Sequence, residues 1–174
     1  LYHALLGRGI ASDANGAYPR NDGTVGQIPL DEDGRPLHNL YNTDAVWGAY
    51  WNLTQLWALA YPEYYSDFIR GHLLVYGDAG WLGDGLACSK YVSGVGTNMV
   101  SILMAGAYQC GIRDFDVEKA YQAALKNELE WEGRVEGAGK MDVGEFVRRG
   151  YSPYVPSNNG INDELQLNGS PFGA

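Results

Sequence analysis

The amino-acid sequence predicts an all-α fold with long loops and a short β-hairpin excursion, and three observations carry that expectation. Apolar residues recur every three or four positions in four separate stretches, the spacing of helices that bury one face. No strand pattern is sustained, and nothing alternates strand with helix in the manner of a parallel sheet. The helical stretches are joined alternately by tight and by long connections. A bundle, a solenoid and an α/α toroid all fit that description; the lack of a short internal repeat counts against the solenoid.

Taken in order, Leu1, Leu5 and Leu6 with Tyr2 form a short amphipathic segment before Gly7 and Gly9 loosen it. Residues 11–41 are rich in Asp, Asn, Gly and Pro, and Asn15-Gly16, Asn21-Asp22-Gly23 and Asp33-Gly34 are turn signals. Strand-like pieces between them, such as Thr24 to Leu30, predict the hairpin. A helix is expected from Thr43 or Asp44 to Tyr61, with Val46, Tyr50, Leu53, Leu56, Trp57 and Ala60 at helical spacing. Pro62 stops it and also suits the first turn of the next helix, which runs to about Tyr76 with Tyr65, Phe68, Ile69 and Leu73 on one side. Two helices joined so tightly form an αα-hairpin.

A glycine-broken loop, 80–96, follows. Each glycine there costs backbone entropy on ordering and buries no side chain, and loops held by a rigid scaffold commonly carry binding and catalytic groups. A third helix is expected from about Thr97 to Cys110, where Ala105, Gly106 and Ala107 permit close approach by another element and Gly111 suits the position after its end. Asp114 or Asp116 caps a fourth helix reaching to about Trp131, with Val117, Tyr121, Leu125 and Leu129 on one side. A short helix spans about Asp142 to Arg149, and residues 151–174 read as loop.

Composition narrows the function. A formal net charge of -9 argues against nucleic acid or an anionic membrane surface as the main ligand. No run approaches the roughly 18 apolar residues that a membrane span needs. Thirteen Tyr, five Trp and four Phe supply rings that either fill helix interfaces or line a cleft, where Tyr and Trp suit the flat C–H faces and hydroxyls of a sugar. Cys88 and Cys110 match neither a zinc spacing nor a disulfide framework.

Four collinear segments add a resemblance. Ser12-Asp13-Ala14-Asn15-Gly16-Ala17-Tyr18, the segment Tyr41 to Tyr50 ending in VWGAY, DFIRGHLLVYGDAGWL from Asp67 to Leu82, and DFDVEKAY from Asp114 to Tyr121 resemble, in order and spacing, the family 92 glycoside hydrolases. Gly150 to Tyr154, GYSPY, is similar to the segment before that family's next helix. The resemblance implies that the chain is a fragment, roughly the first half, of an (α/α)6 catalytic domain, without the β-sandwich that normally precedes it. It implies calcium-dependent exo-acting α-mannosidase activity with inversion, an oligosaccharide or glycan as substrate, the remainder of its own polypeptide as partner, and a secreted or periplasmic location.

Inverting hydrolysis needs a protonated carboxyl for the leaving oxygen and a carboxylate to activate water, ~6.5–9.5 Å apart. The resemblance places the acid in the loop 80–96, with the base carboxylates and most calcium ligands beyond Ala174. The family's glutamate position falls on Gly85, so the acid candidate is its neighbour Asp84. The family's Trp-Asp-x-Tyr-Arg reads Trp47-Gly48-Ala49-Tyr50-Trp51, and its Gly-x-His reads Gly96-Thr97-Asn98. Trp47, Tyr50, Trp81 and Asn98 are therefore the candidate substrate contacts, with no metal ligand assigned within the chain. Each has a structural alternative: Asp84 as a turn residue, Trp81 as a wedge, Trp47 or Tyr50 as core, Asn98 as a helix cap. His72 is expected to be a packed histidine. A non-catalytic carbohydrate-binding or structural module of the same ancestry is the alternative function, favoured by Gly48 and Gly85.

Overall fold

A computed structural model describes residues 8–43, 46–83, 85–92, 98–135, 137–139 and 143–151. Among the described residues six helices form the body: α1 (Val46–Ala49), α2 (Leu53–Ala60), α3 (Pro62–Ala79), α4 (Met99–Gln109), α5 (Val117–Leu129) and α6 (Val143–Arg149). Two antiparallel hairpins accompany them, β1 (Ala17–Pro19) with β2 (Val25–Gln27) and β3 (Leu86–Ala87) with β4 (Lys90–Tyr91). The fold is helix-rich, as expected, with one hairpin more than the sequence suggested.

The excursion 11–41 is ordered by its turns. Gly16, Gly23 and Gly34 all sit at positive φ (83°, 85° and 77°), where a Cβ would be strained. Asp22 Oδ1 accepts from both the amide and the hydroxyl of Thr24 (2.9 and 2.7 Å), closing the β1–β2 turn. Tyr18 crosses from Gly26 on the paired strand, and its hydroxyl donates to Asp78 Oδ2 on α3 (2.5 Å) while Arg20 Nε lies 3.2 Å from Asp78 Oδ1. The hairpin is thus bolted to the last turns of α3.

The single helix expected from residue 43 or 44 to 61 is instead two pieces, α1 and α2, parted at 50–52. Asn52 lies outside helical geometry (φ −153°, ψ −24°), and the Tyr50 carbonyl is shared by Thr54 Oγ1 and Gln55 Nε2, side chains that compete with the helix ladder. Gly48 lowers the helical preference of the short first piece further. Pro62 opens α3 immediately after Tyr61, so α2 and α3 form the expected antiparallel pair, and α3 runs on three residues past Tyr76 to an αL end at Gly80. Asp116 caps α5 as expected, accepting from the Lys119 amide at 2.9 Å. Asn98 stands at the N-cap of α4, yet its side chain makes no cap bond.

The main core lies between α2, α3 and α4, around Trp57, Phe68, Ile69 and Leu103, each essentially inaccessible to solvent. The Trp57 ring meets Tyr64, Tyr65 and Phe68 at centroid distances of 4.9, 5.7 and 4.9 Å. Tyr65 donates its hydroxyl to the Leu103 carbonyl of α4 (2.7 Å), and a Cβ at Gly106 would meet that hydroxyl at an ordinary 3.7 Å, so Gly106 is not required by this contact. A second, smaller core joins Tyr18, Ile28, Leu40, Val75, Trp81, Leu86, Tyr91 and Ala138.

The fourth helix departs from expectation in its orientation. α5 buries Ala120, Ala123 and Asn127, while Tyr121, Leu125 and Leu129 remain 59%, 39% and 51% exposed. Small residues let α5 lie close against α3 and α4, so its bulky apolar stripe is left facing outward.

Candidate active site

The loop singled out by the sequence begins where α3 ends. Gly80 in αL conformation turns the chain, and Trp81, Leu82 and Gly83 that follow are all buried. Their burial is matched by directed bonds. Trp81 Nε1 donates to the Gly133 carbonyl (3.1 Å), and Lys126 Nζ and Arg134 Cζ each stand 4.4 Å from the centre of its ring. The Trp81 carbonyl accepts from the Tyr91 hydroxyl. Burial pushes the Tyr91 phenol well above its usual range, so it stays a donor there.

At Leu82 both peptide groups are met by the one side chain of Asn127 on α5. The Leu82 amide donates to Asn127 Oδ1 (3.1 Å), and Asn127 Nδ2 donates back to the Leu82 carbonyl (2.9 Å). Asn127 Nδ2 also donates to Asn98 Oδ1 (3.1 Å), and Asn98 Nδ2 bonds Ser101 Oγ (3.0 Å) and Glu128 Oε1. Arg134 continues the network, with Nη2 donating to the Asn127 carbonyl (2.8 Å) and Nη1 to that of Ala138 (3.0 Å). Burial pushes its guanidinium down to about 10, against the pull of Glu128 and Glu130.

The far side of the loop is the β3–β4 hairpin. Gly83 packs so closely that a Cβ there would lie 2.6 Å from Leu86 Cδ2 and 2.8 Å from the Tyr91 ring. The Tyr91 amide donates to Asn21 Oδ1 (3.2 Å) and the Cys88 amide to Asn42 Oδ1 (3.3 Å), tying this hairpin to the excursion 11–41 and to the segment entering α1.

Each residue chosen from the sequence has a definite place, except Asp84, which lies outside the described residues. Gly85 beside it has open space around a virtual Cβ. Trp81 and Asn98 are brought together through Leu82 and Asn127, and both are buried. Trp47 and Tyr50 lie half-buried on and after α1 against the main core, with Trp51 exposed and edge-on to Tyr50 at 5.6 Å. The helix α1 packs on α4, whose first residue follows Asn98. His72 is a packed histidine, edge-on to Phe68 at 5.1 Å.

Sequence reasoning missed Asn127, Tyr91 and Arg134. Asn127 carries a signal in hindsight: an amide in the last turn of α5, on the small-residue face with Ala120 and Ala123. Its partner Leu82 lies 45 residues away, and nothing local points to it. Among the described residues no three His, Cys, Asp or Glu side chains gather into one cluster. Cys88 and Cys110 are free and exposed, and no described helix is long and apolar enough to cross a membrane.

Comparison with known proteins gives a consistent result. The family model "Glycosyl hydrolase family 92 catalytic domain" matches residues 1–168. No curated protein sequence matches significantly. Among solved structures the chain is similar to the family GH92 inverting mannosidase BT2199 from Bacteroides thetaiotaomicron VPI-5482, with a TM-score of 0.69 and 22% identity over 88% of this chain and 20% of that one. It is similar also to the family GH92 α-mannosidase BT3965 from Bacteroides thetaiotaomicron, with a TM-score of 0.69 and 18% identity over 83% of this chain and 18% of that one. The complex of BT3965 with mannoimidazole gives 0.63 and 17%, with the same coverage. The chain therefore spans about a fifth of the length of these structures, whose fold it shares over that part.

Proposed function

Because the chain belongs to glycosyl hydrolase family 92, matched over residues 1–168, we propose that it is part of a glycoside hydrolase acting on α-mannosides or a related α-linked sugar, with inversion. That family match is the observation that carries the reading. In the complete polypeptide the Asp84 carboxyl protonates the glycosidic oxygen as its bond to the anomeric carbon breaks. A carboxylate from the remainder of the polypeptide takes a proton from the water that attacks the opposite face. Trp47, Tyr50, Trp81 and Asn98 are the proposed sugar contacts; Trp47 and Tyr50 are half-buried, Trp81 and Asn98 buried. Calcium, bound mainly by residues outside this chain, would supply Lewis-acid polarisation of the sugar hydroxyls; no step here depends on it.

An uncovered apolar face supports the idea of a larger helical ring. A cavity of about 350 Å³ lined by Met104, Ala105, Tyr108, Phe115, Val117 and Tyr121 adjoins one of about 270 Å³ lined by Tyr121, Ala124, Leu125, Leu129, Phe146 and Val147. A continuous apolar surface of that kind suits the next helix pair of an (α/α)6 toroid. The alternative, a non-catalytic carbohydrate-binding or structural module, draws on Gly85 and Gly48 at sugar-facing positions.

The test is hydrolysis of an aryl α-mannoside by the complete polypeptide, with the first-formed anomer identified by NMR. Release of β-mannose, lost in Asp84→Asn, supports the enzyme; mannose binding without turnover supports the module. The 174-residue chain alone is expected to be inactive, and turnover by it that Asp84→Asn removes would contradict the division of labour proposed here.

A further inference from the structure

Of the five tryptophans, Trp57 and Trp81 are buried, and Trp47 and Trp131 are half-buried. Trp51 differs from them all: it is 73% exposed, on the turn between α1 and α2. One exposed ring needs no explanation by itself. The surroundings of this one do. Tyr50 meets it edge-on, with centroids 5.6 Å apart and planes at 61°, a contact that steadies the indole. Asn52 follows it, exposed and with no side-chain cap bond to α2. Gln55 is exposed as well, and its Nε2 reaches back to the Tyr50 carbonyl (3.4 Å), which ties that amide to the same break in the helix. Gly48 is exposed too, and a virtual Cβ there meets nothing within 4 Å, so the surface of α1 ahead of the turn is open.

Charge narrows what can settle on such a turn. From Val46 to Pro62 the sequence has no Asp, Glu, Lys or Arg, in a chain that carries 21 acidic and 12 basic residues. An acidic sugar finds no cation on this segment, and a net charge of -9 repels it from a distance. A second copy of the chain carries that same charge and would gain no ion pair here. A neutral pyranose fits all of these observations. Its flat C–H face lies on an indole, and its hydroxyls both donate and accept, as carboxamides do.

We infer that Trp51, with Asn52 and Gln55, is a platform for a neutral pyranose unit of a glycan, and this rests on the reading of the chain as part of a glycoside hydrolase. Tyr50 braces the platform from its edge. The site selects by character: it takes a neutral sugar and gives no counter-charge to an acidic one.

The test is equilibrium binding of a sulfur-linked α-mannobiose, which resists hydrolysis, to the complete polypeptide by titration calorimetry. Trp51→Ala is expected to weaken binding ~10-fold or more, the scale of a tryptophan that anchors a ligand, whereas Trp51→Tyr keeps the platform and stays within ~3-fold of wild type. Asn52→Ala and Gln55→Ala should each cost ~3-fold to ~10-fold, about one hydrogen bond. Raising sodium chloride from about 0.05 to about 0.5 M should leave the affinity within ~2-fold, since no charge is matched. Unaltered binding in Trp51→Ala, or equal losses in Trp51→Ala and Trp51→Tyr, would overturn the inference. So would a Trp51 screened from acrylamide in the sugar-free polypeptide, read as identical quenching of wild type and Trp51→Phe, because the rest of the polypeptide would then cover it. A wild-type protein that neither binds this disaccharide nor hydrolyses an aryl α-mannoside sinks the functional reading itself, an outcome distinct from full binding that ignores residue 51.

Discussion

Trp57 and Trp81 are both buried tryptophans, and they are held in opposite ways. Trp57 sits among Tyr64, Tyr65 and Phe68 with its indole N–H lacking a partner among the described residues, so it is placed by shape and apolar contact. Trp81 has its N–H on the Gly133 carbonyl, its own carbonyl on Tyr91 and two cations over its ring. Apolar burial is strong and non-directional, and it suits a helix pair whose backbone is already regular. A loop without a ladder needs directed bonds to particular peptide groups, and α5, β4 and the segment 133–138 supply them. The difference separates a region built for mass from one built for position.

The largest expected effect breaks the first region. Trp57→Ala removes a fully buried indole from between α2 and α3 and should cost about 4 kcal/mol, within the range for large-to-small changes at aromatic core positions. It is read as a drop in the denaturant midpoint at unchanged slope. A loss below about 1 kcal/mol would mean that the two regions do not differ as described.

A pH-dependent effect comes from His72 in the same core. Burial, with the positive charge of Arg8 as a lesser cause, pushes its imidazole from an ordinary 6.5 down to about 3. The folded state therefore binds fewer protons than the unfolded one between those values. Stability contributed this way is fully present above pH 6.5 and falls as the pH drops toward 3, by at most about 1.4 kcal/mol for each pH unit. His72→Leu should flatten that acid limb in a series of denaturation curves, while a limb of unchanged steepness would assign acid sensitivity to other groups.

The smallest effects sharpen the second region by contrasting two glycines. Gly83→Ala forces a methyl into contact with Leu86 and Tyr91 and should cost about 2 kcal/mol. Gly85→Ala meets open space at an unstrained φ and should change stability by less than about 0.5 kcal/mol. Similar costs at the two positions, measured by the same denaturant midpoints, would show that the loop is not pinned selectively at 81–83.

Much of this was legible in the sequence because it is local. The three turns at Gly16, Gly23 and Gly34, the Pro62 junction, the Asp116 cap and the helical spacing of Tyr65, Phe68, Ile69 and Leu73 all follow from chemistry within a few residues. The family was legible too, because collinear motifs need no structure to be compared. Less was legible at the candidate site. Asn98 is left open by the sequence between substrate contact and helix cap, and its amide is spent on Asn127, Ser101 and Glu128. Trp81 was left open between sugar platform and wedge, and its surroundings are protein on every side that its contacts define.

What the sequence alone determined, then, is most of the helices, the first hairpin and their kinship, though neither the break at 50–52 nor the β3–β4 hairpin, since periodicity, capping and turn chemistry act over one or two helical turns. What only the tertiary structure decided is which face of α5 turns inward and what meets Leu82. Tyr121, Leu125 and Leu129 make the more apolar stripe, yet Ala120, Ala123 and Asn127 are the buried one. A helix read by itself shows where its apolar mass lies. Which face is buried depends on how close its neighbours come, and on whether a backbone 45 residues away needs an amide to hold it.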